Sequence, residues 1–175
     1  MIFTKRPALS TAELLRRKGK PLGAVYGDTL AIVIRESVLE EILHYSETDM
    51  EREIGGFLLG QTDEDEELCV EIKHFLPASQ TESHTASLTF THDTWSAMSR
   101  EVEARFPDQS VVGWHHTHPG LGVFLSGYDL FIHRNFFSAP WQMALVVDPQ
   151  QKEFGFYQWR KGRITDCGFI CTTEK

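Results

Sequence analysis

Long apolar runs, paired cysteines and a net positive charge are what this 175-residue chain lacks. Its longest apolar stretches fall short of the ~20 residues that a membrane-spanning helix needs, and charges interrupt the chain throughout, so no helical span is expected. The N-terminus has no long apolar h-region, so no secretory signal peptide is expected. Three cysteines, Cys69, Cys167 and Cys171, form neither an even framework nor a Cys-x-x-Cys pair. Cys167 and Cys171 could meet in a metal site or a disulfide, but their strand-and-tail surroundings favour inert thiols. A reducing compartment, the cytoplasm, is the expected location. The net charge of -8 argues against a nucleic-acid binder, whose footprint is usually a basic patch.

What is present fits one soluble domain. A length of 175 residues allows a full hydrophobic core, and 41% hydrophobic with 24% charged residues is ordinary for a globular protein. The charge is uneven. Lys5, Arg6, Arg16, Arg17, Lys18 and Lys20 face only Glu13 near the start, and Asp63 to Glu67 is an unbroken acidic run, read as a solvated turn between strands. Residues 1–24 read as a basic arm. Ser10-Thr11-Ala12-Glu13 is a capping-box pattern opening a short helix, and Gly19, Pro21 and Gly23 break it. Such an arm packs on the domain or on a protein partner. Residues 25–175 form the main domain.

Within that domain the pattern alternates between types. Leu30 to Ile34 reads as a strand, then Ser37 as the N-cap of a helix to Ser46 with Val38, Leu39, Ile42, Leu43 and Tyr45 as its apolar stripe. Ile54 to Leu59 reads as a buried strand whose Gly55 and Gly56 allow close approach. Leu68 to Leu76 is another strand, Pro77 to Thr85 a loop, and Ala86 to Phe90 an extended return. Trp95, Met98, Val102 and Phe106 mark the core face of a helix over Asp93 to Arg105. Ser110 to Trp114 is a strand, and Ser126 opens a helix through Phe137. Trp141 to Val147, Glu153 to Trp159 and Arg163 to Ile170 read as three closing strands. This order is mixed α and β and does not fit a strictly alternating parallel sheet.

One window carries the chemistry. His116-Thr117-His118-Pro119 is followed by Ser126-Gly127-Tyr128-Asp129. On an extended backbone His116 and His118 project to the same side. With Asp129 they make a three-ligand set for zinc, which leaves a fourth position for water. Ser126 and Asp129 also form a helix-capping pattern, a role compatible with ligation. His115 projects the opposite way and is assigned a supporting or surface role. His133, four residues after Asp129, is a rival ligand, read more simply as a partly exposed helix residue. Glu53 heads the run Glu-Ile-Gly-Gly-Phe-Leu-Leu-Gly, an acid placed to move a proton in metal-activated hydrolysis.

Together, Glu53, His116-Thr117-His118-Pro119, the six intervening residues and Ser126-Gly127-Tyr128-Asp129 resemble the JAMM signature of catalytically competent MPN-domain metalloproteases. The resemblance covers about residues 28 to 170. It implies an α/β, cytidine-deaminase-like MPN domain, a mixed sheet flanked by helices. It implies one zinc ion on His116, His118 and Asp129, with Glu53 as general base and then acid, and Ser126 donating to the oxyanion. Family members cleave after the C-terminal tail of ubiquitin or a ubiquitin-like protein, and the tail adds as a strand in a narrow groove. Here Ala86, Ser87, Leu88, Thr89 and Phe90, with Gly120, Leu121, Gly122, Val123 and Phe124, are the expected groove walls. The chain looks like a small stand-alone, prokaryotic member; such proteins are often linked to ubiquitin-like conjugation systems, including antiviral ones. Two alternatives stay open: a processing peptidase for a ubiquitin-fold sulfur carrier, and a non-catalytic MPN interaction module. A zinc deaminase is disfavoured, because the Pro-Cys-x-x-Cys signature is missing.

Overall fold

The structure is a computed structural model that describes residues 19–63, 69–78, 82–83 and 88–173. The expected arm helix, most of the acidic turn, and Ala86 and Ser87 lie outside the described residues. Eleven strands are described: β1 (Lys20–Leu22), β2 (Ala31–Arg35), β3 (Gly55–Asp63), β4 (Cys69–Pro77), β5 (Glu82–Ser83), β6 (Leu88–Thr89), β7 (Ser110–Thr117), β8 (Met143–Asp148), β9 (Glu153–Arg160), β10 (Arg163–Cys167) and β11 (Phe169–Thr172). The described helices are α1 (Glu36–Ser46), α2 (His92–Arg105) and α3 (Gly127–Phe136).

Nine strands form one mixed sheet in the order β1-β11-β2-β4-β3-β7-β8-β9-β10. The pairs β11/β2, β2/β4 and β7/β8 are parallel and the others antiparallel. β5 and β6 make a separate two-stranded ribbon. Residues 20–22, at the end of the expected arm, add to the sheet as one of its two edge strands.

The stretch Arg163 to Ile170 is not the single strand its sequence pattern predicts. Gly168 divides it. β10 pairs with β9 at one edge, and β11 pairs with β2 near the other. A single residue therefore joins opposite ends of the sheet order, which forces the sheet to curl until those ends approach. Contacts across the gap agree: the Phe156 and Phe169 rings lie 5.0 Å apart, and Gln158 donates to Thr29 at 2.6 Å. Glycine is required at the crossing, because a Cβ at position 168 would lie 2.4 Å from the Leu22 carbonyl oxygen.

The curl separates two large cores, with a smaller cluster of Ala31, Val33, Cys69 and Ile170 beside them. Inside the curl, α1 lays Val38, Leu39 and Ile42 against Ile32, Ile34, Ile72, Leu145 and Phe156. α1 follows β2 without a loop, so Arg35 holds the N-cap position in an extended conformation and makes no side-chain cap bond. Ser37, expected as the cap, falls in the first turn because the strand's last residue already supplies the cap's backbone shape. On the outer face, Trp95, Met98 and Val102 of α2 and Ile132 of α3 pack on Phe57, Leu59, Trp114 and Ala144. α2 starts from a Thr91–Thr94 capping box. β7 lies between these cores, and alternation along it sends Trp114 and His116 outward and His115 inward.

Candidate active site

The site lies where β7 ends and α3 begins. β7 is paired antiparallel to β3 on one side and parallel to β8 on the other, and His118 donates its backbone N–H to the Val147 carbonyl at 2.8 Å. The strand runs to Thr117, three residues beyond the Trp114 end expected from sequence, because both neighbours continue its ladder. α3 begins with Ser126 as N-cap: Ser126 Oγ accepts from the Asp129 N–H at 3.1 Å, and the Ser126 N–H donates to Asp129 Oδ2 at 2.9 Å. That reciprocal cap fixes the Asp129 carboxylate one turn into the helix and aims it back at β7.

Three ligand atoms converge there. His116 Nε2 and His118 Nε2 are 3.1 Å apart, and Asp129 Oδ2 lies 3.2 Å from the first and 3.1 Å from the second. Glu53 is buried just before β3, with Oε1 3.5 Å from His118 Nε2. Thr117 holds that glutamate's backbone in place. Its Oγ accepts from the Ile54 N–H at 3.0 Å and donates to the Arg52 carbonyl over a long 3.5 Å, and its N–H donates to the Ile54 carbonyl at 2.9 Å.

The electrostatics suit a cation. Burial lowers the His116 pKa, and Asp129 only partly restores it. Burial lowers His118 as well, but Asp129 and Glu53 more than compensate and leave it above the usual imidazole value. Burial would raise Asp129, yet hydrogen bonds from both imidazoles hold it far below the ordinary carboxylate range. Two imidazole nitrogens and a carboxylate oxygen, all capable of donating lone pairs, face one another at 3.1–3.2 Å. In a tetrahedral site with Zn–N bonds near 2.0–2.1 Å, the ligand atoms are separated by roughly 3.3 Å. The residues present therefore fit a zinc ion in spacing and in chemistry.

The other sequence candidates distribute as follows. His115 is fully buried, not at the surface. Ser46 Oγ donates to the Ile42 carbonyl at 2.7 Å and lies 2.9 Å from His115 Nε2, so the ring donates through Nε2. Burial, followed by the nearby His116, lowers its pKa to about 3 and keeps it neutral. His133 is also fully buried rather than partly exposed, and its Nδ1 accepts from the Trp114 indole N–H at 2.9 Å. It does not join the cluster of His116, His118 and Asp129. Of the expected groove walls, Leu88 and Thr89 form β6. The Phe90 ring packs 5.1 Å from Phe57 and belongs to the outer core. The Phe124 ring packs 4.6 Å from that of His118, and Leu121, three residues earlier in the loop, is exposed.

One residue of this region is not among the sequence candidates. Asp148, fully buried at the end of β8, accepts from the backbone N–H groups of Gly120, Gly122, Gln150 and Gln151 at 2.8–3.1 Å. It ties the loop between His118 and Ser126 to the β8–β9 turn. Gln150 extends the tie by donating to the Met50 carbonyl at 2.7 Å, near Glu53. Asp148-Pro149 carries the Asx-turn signal for the two later bonds, but the glycine bonds span 26 and 28 residues and have no local signature.

Residues 28–139 match the family described as JAB1/Mov34/MPN/PAD-1 ubiquitin protease. The chain belongs to that family. The MPN domain is 30% identical over 126 residues to NAD(+) hydrolase TcpA of Theionarchaea archaeon (strain DG-70-1), covering 71% of this chain and 36% of that protein. It is 30% identical over 141 residues to ubiquitin carboxyl-terminal hydrolase RPN11 of Saccharomyces cerevisiae, covering 79% and 45%. It is 31% identical over 99 residues to COP9 signalosome complex subunit 5 of Caenorhabditis elegans, covering 55% and 26%. The chain thus spans less than half the length of these curated relatives. The solution structure of protein DSY2949 from Desulfitobacterium hafniense matches with a TM-score of 0.62 at 20% identity, covering 82% of this chain and 94% of that one, and it shares the fold. Among the described residues no helix is long and apolar enough to cross a membrane.

Proposed function

We propose that this MPN domain is a zinc-dependent isopeptidase or peptidase that cleaves after the C-terminal tail of ubiquitin or a ubiquitin-like protein. The observation that carries the reading is the convergence of His116 Nε2, His118 Nε2 and Asp129 Oδ2 within 3.1–3.2 Å, with the Glu53 carboxylate 3.5 Å from His118. When bound by these three residues, zinc supplies Lewis acidity that makes water nucleophilic near neutral pH. Glu53 then takes the proton from the attacking water and returns it to the leaving amine, which a buried carboxylate beside the site is placed to do. Ser126 Oγ accepts from the Asp129 N–H, so its own hydroxyl proton is available to the oxyanion formed at the scissile carbonyl.

The substrate class is supported by membership of the family and by the relative named ubiquitin carboxyl-terminal hydrolase. The activity in the name of the TcpA relative belongs to a protein of which this chain matches 36%. The test has two parts. Elemental analysis should find about one zinc per chain, and little in Asp129→Ala. A ubiquitin-fold protein presented as a linear fusion and as a lysine conjugate should be cleaved by the unsubstituted chain and not by Glu53→Gln, which should keep its metal. Cleavage of the fusion alone would shift the assignment to a processing peptidase of the sulfur-carrier kind. Absence of zinc after reconstitution would instead leave a non-catalytic interaction module, and an active Glu53→Gln would remove Glu53 from the chemistry.

A further inference from the structure

A metal-binding histidine usually has its plane set by a hydrogen bond from its second ring nitrogen to a carboxylate or carbonyl. Among the described residues His116 has no such bond. Its Nδ1 is buried and has no hydrogen-bond partner among the described residues. The ring is instead held face to face against the Trp114 indole, with centroids 4.4 Å apart and planes within 12°. The indole is itself fixed. Trp114 is completely buried, lies nearly parallel to Phe137 at 5.6 Å, and donates its N–H to His133 Nδ1 at 2.9 Å. His133 sits one turn beyond Asp129 on the same face of α3. The bond therefore crosses from β7 to α3 next to the place where His116 and Asp129 meet across the same gap at 3.2 Å.

We propose that Trp114 and His133 are a positioning pair that sets the plane of His116 and the register of α3 against β7, and thereby the metal affinity of the site; this rests on the reading of His116, His118 and Asp129 as the metal ligands. The physical reason is the asymmetry of buried hydrogen bonds. Sliding α3 along β7 would leave a buried indole N–H and a buried imidazole nitrogen unsatisfied together, so only one register is comfortable. The aromatic stack then transmits that register to the ring that faces Asp129.

The experiment measures zinc affinity by competition with a chromophoric chelator, and the cobalt(II) d–d spectrum at saturation. The full chain is compared with Trp114→Phe, His133→Leu, His133→Asn and Asp129→Ala. Asparagine keeps an acceptor oxygen where Nδ1 stands; leucine fills the space without one. Trp114→Phe and His133→Leu should weaken zinc binding about tenfold or more and shift the cobalt bands, while His133→Asn stays within about threefold of the unsubstituted chain. A purely structural role would lower the melting temperature and leave the saturated cobalt spectrum unmoved. If His133→Leu does not fold, Trp114→Phe and His133→Asn carry the comparison. Unchanged zinc affinity and cobalt bands in Trp114→Phe, with Asp129→Ala unable to bind, overturn the pairing alone. Equal failure of the unsubstituted chain and Asp129→Ala to bind zinc overturns the metal reading, and the pairing with it.

Discussion

Replacing Asp148 by asparagine keeps the shape of the side chain and removes its charge, and it should destabilise the fold by about 2–4 kcal/mol at neutral pH. The magnitude comes from the four backbone N–H groups the carboxylate collects: Gly120 at 2.9 Å, Gly122 at 2.8 Å, Gln150 at 3.0 Å and Gln151 at 3.1 Å. Gly120, Gln150 and Gln151 bond to Oδ1, and Gly122 alone to Oδ2. An amide can keep its oxygen at one of those positions only, and its NH2 group then opposes an N–H donor at the other. Each hydrogen bond to a charged group contributes roughly 1.5–3 kcal/mol, but Gly120, Gln150 and Gln151 are exposed residues, so water recovers part of what they lose. For a chain of this size the expected change is a fall of roughly 5–15 °C in Tm. The pH dependence has a definite sign. Burial would raise the Asp148 pKa, and the four backbone donors more than reverse it, so the folded-state value lies below the ordinary one. The contribution of Asp148 is thus complete above about pH 4 and is lost as the pH falls through the folded-state value. Urea denaturation of both proteins at several pH values is the assay. The two curves should separate at neutral pH and converge in acid. A variant within about 0.5 kcal/mol of the unsubstituted chain at pH 7 would show that the loop does not depend on this clamp.

Other perturbations test the remaining parts of the site. Thr117→Val removes the hydroxyl that holds Arg52 and Ile54 on either side of Glu53, and should lower kcat about 10- to 100-fold with zinc content unchanged; Thr117→Ser should restore most of it, and equal kcat in all three proteins would refute the role. Ser126→Ala should lower kcat by roughly 100- to 1000-fold through the oxyanion donor. The same change should lower stability by about 1 kcal/mol through the helix cap, so a denaturation curve separates the two effects. Gly56→Ala places a Cβ 2.5 Å from the Leu76 carbonyl oxygen and 2.7 Å from the Phe75 ring, so a loss of about 1–3 kcal/mol is expected by chemical denaturation, and unchanged stability would contradict the packing.

The proposed ligands were legible one by one, because local rules orient each of them within its own element. Strand alternation puts His116 and, one residue past the end of β7, His118 on one side, and a Ser-x-x-Asp cap puts Asp129 in the first turn of a helix; the two imidazoles meet at 3.1 Å and the cap stands in the structure. Helix stripes were legible for the same reason, and Val38, Leu39 and Ile42 are buried as their spacing predicts. Burial of polar residues was not. His133 reads as an ordinary helix residue, and only Trp114, nineteen positions earlier in the chain, explains why it is buried. Ser46 and His115 are a second case, joined across 69 positions. The break at Gly168 was illegible too, since β-forming residues continue on both sides and it is the backbone of Leu22 to Ala24, 2.4–2.7 Å from where a Cβ would stand, that requires a glycine there.

Side-chain chemistry and the short periods of strand and helix need no distant information, and they alone mark His116, His118 and Asp129 as candidate metal ligands. That those atoms meet follows from packing between distant elements. The curl of the sheet and the docking of α3 on β7 bring Asp129 within 3.2 Å of His116, and the ladder between β3 and β7 brings the segment preceding β3, with Glu53, alongside His118. Such distances depend on packing between elements far apart in the chain, where each contact is set by every other and no local pattern records the sum.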